Sequence, residues 1–342
     1  MVESLELEQF RNQEHYQTKL AARTVFIGEN GSGKTSVLEA VRILSVGKSF
    51  RSSRPEDLLR FGAPYCRVIA HDTKNHYEYF YGSQFADNPL IERQLQRNGK
   101  AVTLLDFLGQ LPTVTFIPKD VDIITDEPGL RRQYVDGILW QAHKGFRRDY
   151  LEYNRVLRER ARLLFFLKHN RADIAELMPW NQLLNEYAAK IRLKRSEFIE
   201  FAQKLIGTFQ KNIPGKIAVA VDWEIGNESL EQLQTQEIRS GHNLFGPHRD
   251  ELKITCNDQL ARRFASRGQA RSVIALLKAV EAKYLAKHSQ SPPILLLDDL
   301  ASELDAENCA WLFSLFGDDY QILATSVTKE PIFAGYQVEK LK

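Results

Sequence analysis

Gly28-Glu29-Asn30-Gly31-Ser32-Gly33-Lys34-Thr35 follows the apolar run Thr24-Val25-Phe26-Ile27 and opens into Ser36-Val37-Leu38-Glu39-Ala40-Val41. The order is strand, glycine loop, helix, the setting that a phosphate-binding loop requires. Gly28, Gly31 and Gly33 let backbone N–H groups turn inward around a phosphate, and the helix start offers unpaired donors and a positive dipole end to the same anion. Glu29, Asn30 and Ser32 complete the loop, and Ser36 follows it on the helix. Lys34 is placed to reach the β- and γ-phosphates of ATP and the Thr35 hydroxyl to ligate Mg2+. A chance glycine turn explains lone glycines but fits poorly with a full GxxxxGKT between strand and helix.

Far along the chain, Ile294-Leu295-Leu296-Leu297 reads as a buried strand that ends in Asp298-Asp299. Two adjacent carboxylates at such a strand end repel and desolvate each other unless a cation sits between them. Asp298 is therefore assigned to the magnesium and Asp299 to orienting or deprotonating an attacking water. Pro292-Pro293 before the strand and Ser302-Glu303-Leu304-Asp305 after it extend the pattern beyond a solvated strand end.

At 342 residues, 43% hydrophobic and 26% charged, the chain can bury a large core and form two globular parts. A net charge of +2 leaves any nucleic-acid contact to a local basic face. Cys66, Cys256 and Cys309 are widely spaced, odd in number and in no metal-ligand pattern, which suits packing roles in a reducing cytosol. The N-terminal stretch lacks the basic and apolar regions of a targeting signal, and no apolar run approaches the roughly 18 residues of a membrane span. The expectation is a soluble cytoplasmic protein with no membrane partner.

Strand signals dominate up to about Pro118, including Tyr65 to His71, His76 to Tyr81 and a hairpin around Asn98-Gly99. From Arg131 the period changes. Tyr150, Tyr153, Leu157, Ala161, Leu164 and Leu167, then Trp180, Leu184, Tyr187, Ile191, Phe198, Ala202, Leu205 and Phe209, recur at helical spacing around a polar break at 169–173. Two antiparallel helices follow, with Pro179 in the first turn of the second and Pro214-Gly215 ahead of a strand from Lys216 to Trp223. The expected organisation is α/β: residues 1–130 and 216–342 form a P-loop ATPase head with mixed sheets, and residues 131–215 form an inserted antiparallel helical lobe.

About twenty-five residues before the paired acids, Ala265-Ser266-Arg267-Gly268-Gln269-Ala270-Arg271 opens a helical pattern from Ser272 to Ala286. Serine and glycine at a helix start make a second anion site, although one P-loop already cradles the nucleotide. Ser266, Gly268 and Gln269 are therefore expected to cap the γ-phosphate of an ATP held by a second copy, in an ATP-dependent two-fold homodimer.

These residues carry a resemblance. Leu7 to Asn12, GENGSGKT, Gly47 to Arg51, Phe116 to Asp120, Arg131 to Asp136, Gly246 to Leu252, Ser266 to Gln269 and Leu297 to Asp299 with Ser302 to Asp305 span nearly the whole chain. The chain resembles the ATP-binding-cassette (ABC-type) ATPases of the chromosome-maintenance branch, and more narrowly the RecF family of DNA replication and repair proteins. The resemblance implies an ATP-dependent, DNA-binding dimer with slow hydrolysis that acts on gapped single- and double-stranded DNA with RecR and RecO type mediators to load a recombinase. It also implies that Ser302 to Asp305 couples the two subunits. The chain departs from the family at Ser36, where asparagine is frequent, at Arg267, where glutamine is usual, and at Lys119, where an acid is usual. Related ATPases place glutamate at Asp299 and a switch histidine beyond the next strand; here Thr325 is the candidate hydroxyl in that place.

Lys48, Arg51 and Arg54 cluster past the P-loop helix and are expected to contact DNA phosphates without sequence preference. Arg147, Arg148, Arg155, Arg158 and Arg160 crowd the first arm helix, but Glu152 and Glu159 lie among them, so a solvated face is expected there. His248 and Arg249 fall in a turn to which the sequence assigns no role. A non-hydrolysing ATP-binding adaptor remains the alternative; the inserted lobe argues against a transporter motor, and the absence of a further acidic metal cluster argues against a nuclease.

Overall fold

A computed structural model describes residues 1–83 and 91–341 and divides the chain into two compact units. The first comprises Met1–Val121, Lys211–Lys216 and Arg267–Lys342. It holds two sheets. One is antiparallel and six-stranded, built by Val2–Phe10, Gln13–Lys19, Tyr65–Asp72, His76–Gly82, Glu92–Arg97 and Lys100–Ala101. The hairpin around Asn98-Gly99 is present, with φ of 53° and 72° at its two corner residues. Those positive angles match the twist of a tight hairpin, and asparagine and glycine tolerate them best.

The other sheet is five-stranded and parallel, in the order Gln337–Lys340, Arg23–Ile27, Ile322–Ser326, Ile294–Leu297, Thr113–Phe116. Four of its strands are almost wholly buried, as apolar runs inside a parallel sheet require, while the edge strand Gln337–Lys340 is half-exposed. Ser326 pairs with Ile27, Leu297 with Ala324 and Leu297 with Phe116, so the register brings every carboxyl end to one edge. In parallel sheets that edge is where ligands bind.

The helix Lys34–Val46 buries Val37, Leu38, Ala40, Val41, Ile43 and Leu44, which leaves it apolar around most of its girth. It shares one core with Leu5, Leu7, Val68 and Tyr79 of the antiparallel sheet and Phe26, Leu296 and Leu323 of the parallel one. A helix with that pattern has to be enclosed. Burying each such side chain contributes about 1.5–3 kcal/mol, so this shared core is what fixes the phosphate loop in place.

The second unit comprises Asp122–Gln210 and Ile217–Ser266. Its long helices, Lys144–Lys168 and Leu177–Phe209, are the two expected from the periodicity, and helices Pro128–Ala142 and Leu230–Ser240 accompany them. The expected boundaries differ here: residues 122–130 and 217–266, assigned from sequence to the ATPase head, group with the helical unit instead, and residues 211–215, assigned to the lobe, group with the first unit. The cause is a set of long-range pins. The strand Val219–Glu224 pairs antiparallel with Glu251–Cys256, and Gln203 of the longest helix donates to the Val221 carbonyl. Arg192 donates twice to the buried Asp250, and Arg195 donates to both oxygens of Asp136 and to the Pro247 carbonyl.

These bonds give a purpose to two runs that the sequence left open. Asp250 and Pro247 of Gly246–Leu252 receive the arginines of the long helix, and the His248 Nδ1 lies 2.7 Å from the Tyr153 hydroxyl. Burial pushes the His248 imidazole below its usual range, which keeps it neutral in this role. Arg131 of Arg131–Asp136 pairs with Glu251, and Arg132 donates to the Asp250 carbonyl. The three cysteines are buried and unpaired, as a packing role demands.

Candidate nucleotide site

The loop that leaves strand Arg23–Ile27 turns at Gly31 and Gly33, with φ of 91° and 97°, and Gly33 caps the helix beginning at Lys34. A side chain at Gly33 would be strained and would also strike the amides of Asn12 and Gln13. Those amides hold the loop: Asn12 donates to the Gly31 carbonyl at 3.1 Å and Gln13 to the Ser32 carbonyl at 3.1 Å. Ser36 donates to Asn12 at 3.4 Å. Neither amide is recognisable from the sequence as a loop contact, because a strand end far from the glycines carries no local signal of what it touches.

Lys34 is buried and donates to the Gly28 and Glu29 carbonyls at 2.7 and 2.8 Å, so its ammonium lies inside the loop's curve. Thr35 donates to Asp298 at 2.9 Å, which joins the two motifs that lie more than 250 residues apart. Thr325 is also buried and donates to the same Asp298 oxygen at 2.8 Å, while its own oxygen accepts the Asp299 N–H at 2.9 Å. The structure thus brings together Lys34, Thr35, Asp298, Asp299 and Thr325. The Thr325 hydroxyl is engaged with both acids, donating to Asp298 and accepting from the Asp299 N–H.

Asp299 has φ 49°, a left-handed backbone that side-chain-bearing residues seldom adopt. It stands at the start of the short helix Leu300–Glu303 and lines the P-loop pocket with Arg11, Asn12, Asn30, Gly31, Gly33, Lys34, Thr35, Ser36 and Arg51. Burial pushes its carboxyl above the ordinary range, the Asp298 charge adds to the rise, Lys34 opposes it and Glu303 adds again. A carboxylate with raised proton affinity at the mouth of a phosphate site is suited to taking a proton.

Gly268 and Gln269 sit in the first turn of another helix, Arg267–His288, and do not line the P-loop pocket. Ser266 directly precedes that helix, and Ser266, Arg267 and Gly268 are exposed. The same helix carries Ser272, which donates to Asn308 at 3.0 Å, and Arg271, which pairs with Glu303 at 2.9 Å. The run Ser302 to Asp305 is therefore tied to it. Asp120 of Phe116–Asp120 pairs with Lys278 farther along that helix at 3.2 Å.

Lys48, Arg51 and Arg54 are exposed and line one cleft with Tyr79 and Arg93, the last of which the sequence gave no reason to include. The loop that carries them is folded around Ser49, whose hydroxyl donates to the buried Glu39 and accepts the Arg51 and Ser52 N–H groups. Glu39 is also held by Arg11 at 2.9 Å and lies one turn beyond Thr35. Of the arm arginines, Arg147 and Arg160 are buried and bonded within the second unit, and Arg155 pairs with Glu152.

A parallel sheet that delivers a phosphate loop and paired acids to one edge, with an antiparallel sheet in the same core, is the head of an ATP-binding-cassette ATPase. The Smc head domain of Pyrococcus furiosus shares the fold, with a TM-score of 0.55 at 16% identity over 100% of this chain and 94% of that one. The chain belongs to the RecF/RecN/SMC N-terminal domain family, whose model matches residues 1–340, and within it to the RecF DNA replication and repair proteins. It is 32% identical over 349 residues to DNA replication and repair protein RecF of Geotalea daltonii, covering 95% of this chain and 93% of that one. It is 30% identical over 350 residues to RecF of Thermoanaerobacter sp. strain X514, covering 97% and 95%. A solved structure of the recombination mediator protein RecF-ATPrS in the RecFOR pathway superposes with a TM-score of 0.88 at 26% identity, over 100% of this chain and 96% of that one. Among the described residues no helix is long and apolar enough to cross a membrane.

Proposed function

We propose that this chain binds ATP with magnesium, pairs with a second copy around the bound nucleotides, and couples that pairing and a slow hydrolysis to gapped DNA in recombinational repair. The observation that carries the reading is the bonded series Thr35, Asp298, Thr325, Asp299 beside the Lys34 loop. Solved RecF structures described with ATP and within the RecFOR pathway support ATP as the ligand and RecO and RecR type proteins as partners.

The Thr35 hydroxyl and the Asp298 carboxylate are oxygen donors that converge within 2.9 Å, which fits a hard cation held by few protein ligands. Magnesium held there by Thr35 and Asp298 would supply positive charge that neutralises the phosphates during transfer. Lys34 exchanges its loop carbonyls for phosphate oxygens, and the Gly31 to Lys34 backbone donates to the same group. Asp299 accepts the proton of the attacking water. Thr325 orients Asp298 and restrains the Asp299 backbone. Ser266, Gly268 and Gln269 face the terminal phosphate held by the other copy, so the site is complete only in the pair.

Sedimentation with ATP tests this. Lys34→Ala is expected to lose ATP affinity and pairing together, whereas Ser266→Ala keeps monomer ATP binding and loses pairing. A Ser266→Ala protein that pairs as the wild type does would show the cross-subunit role to be wrong.

A further inference from the structure

Phe61 is the most exposed large apolar side chain among the described residues, with relative exposure of 103%, in a chain that buries Phe10, Phe26, Phe80 and Phe107. A single exposed apolar side chain is ordinary on a protein surface, and what marks this one is where it stands. Phe61 lines the P-loop pocket, together with Leu59, Arg11 and Arg51 beyond the phosphate-binding residues.

The backbone that carries it is fixed. Phe61 stands at a corner of a turn closed by the bond from the Ala63 N–H to the Arg60 carbonyl, with Gly62 at φ 80° beside it. The Arg60 N–H donates to Gln9 and the Arg11 N–H to Leu58, so the turn is fastened to the end of the first strand. Three residues past Gln9, Asn12 fastens that same segment to the phosphate loop. Three residues of extended chain span at most about 10–11 Å, so one short, bonded segment sets the spacing from the phosphate loop to the ring. Arg11 in turn is fixed by the buried Glu39.

We infer that Phe61 is the stacking platform for the nucleobase of the bound triphosphate, with Arg11 and Arg51 forming the polar side of the base pocket. The inference rests on the nucleotide reading above and adds a base-binding element to it. Stacking of a base on an aromatic ring strengthens binding by about tenfold, and it gains from a nearby guanidinium.

The test compares wild type, Phe61→Ala and Phe61→Trp, with magnesium ATP and magnesium tripolyphosphate each competing against a fluorescent ATP analogue. Phe61→Ala is expected to weaken ATP by about tenfold, to leave tripolyphosphate unchanged, and to recover with Phe61→Trp. Unchanged ATP affinity in Phe61→Ala would overturn the inference, as would equal weakening of both competitors, which would mean a damaged phosphate loop. Loss of single-stranded DNA binding with ATP affinity intact would also overturn it and make the ring a DNA contact. Wild-type protein that binds no ATP would sink the nucleotide reading itself, and this one with it.

Discussion

Removing the Thr325 hydroxyl would leave the buried Asp298 with one fewer donor and the left-handed Asp299 backbone without its restraint. A hydrogen bond to a charged group contributes about 1.5–3 kcal/mol, so Thr325→Val is expected to slow phosphate release about tenfold or more. ATP affinity should hold, the magnesium needed for half-maximal rate should rise, and Thr325→Ser should restore both. At Asp299 the direction of the pKa fixes two pH effects. The base must be ionised, so hydrolysis is full above its raised pKa and falls as pH drops through it, earlier than an ordinary aspartate would give. For stability the sign reverses: a carboxyl raised above its unfolded value favours the fold when protonated, and that contribution is lost as pH rises through the folded pKa. Asp299→Asn should therefore melt at a higher temperature at neutral pH and hydrolyse about 10²–10⁴-fold more slowly. If its phosphate release equals that of the wild type, the chain is an ATP-binding adaptor without hydrolysis. Lys34, Thr35 and Asp298 were legible in the sequence because loop spacing and paired acids constrain them directly. The bonds that occupy Thr325 were not, since they depend on which strand lies beside which.

Among the elements, the long helices were readable from apolar spacing alone, but their fastenings were not. Arg160 looks in sequence like one more surface cation on a basic helix, yet its side chain is 0% exposed and its guanidinium bonds Glu237 at 2.7 Å, along with Asn181 and Asn243. Both charges are out of water, so deleting one leaves the other buried and unpaired, at a cost of about 3–5 kcal/mol. Arg160→Ala should lower the melting temperature sharply, whereas Arg155→Ala, which breaks a half-exposed pair with Glu152 and a guanidinium contact over the Trp180 ring, should change stability by at most about 1–2 kcal/mol. Calorimetry of the two variants checks the contrast. Equal effects would mean that the buried pair does not hold the helical unit. Asp250 and Arg192 illustrate the same limit on reading: opposite charges 58 residues apart carry no pattern until the fold pairs them.

For the whole molecule, the expected ATPase head was legible as to class, because two distant motifs had to meet at one sheet edge. The extent of the second unit was not, since residues 217–266 join it through tertiary bonds and not through any shift in composition. The basic loop is the part of the molecule whose role a salt titration can resolve. Lys48, Arg51 and Arg54 each add one exposed cation to a single cleft, and each phosphate contact contributes about 0.9 to the slope of log affinity against log salt. Replacing Lys48 and Arg54, which lie outside the nucleotide pocket, with alanine should weaken duplex binding and flatten that slope by up to about 2 units, with ATP affinity retained. An unchanged slope would place the DNA contact elsewhere.

The parallel sheet bears on how the protein is made. Strand Arg23–Ile27, which carries the phosphate loop, has Ile322–Ser326 on one side and Gln337–Lys340 on the other. Both neighbours leave the ribosome only after some three hundred intervening residues have been translated. The loop's supporting strand therefore waits, unpaired within its sheet, through most of synthesis, and the helical unit has time to form before the nucleotide pocket can close.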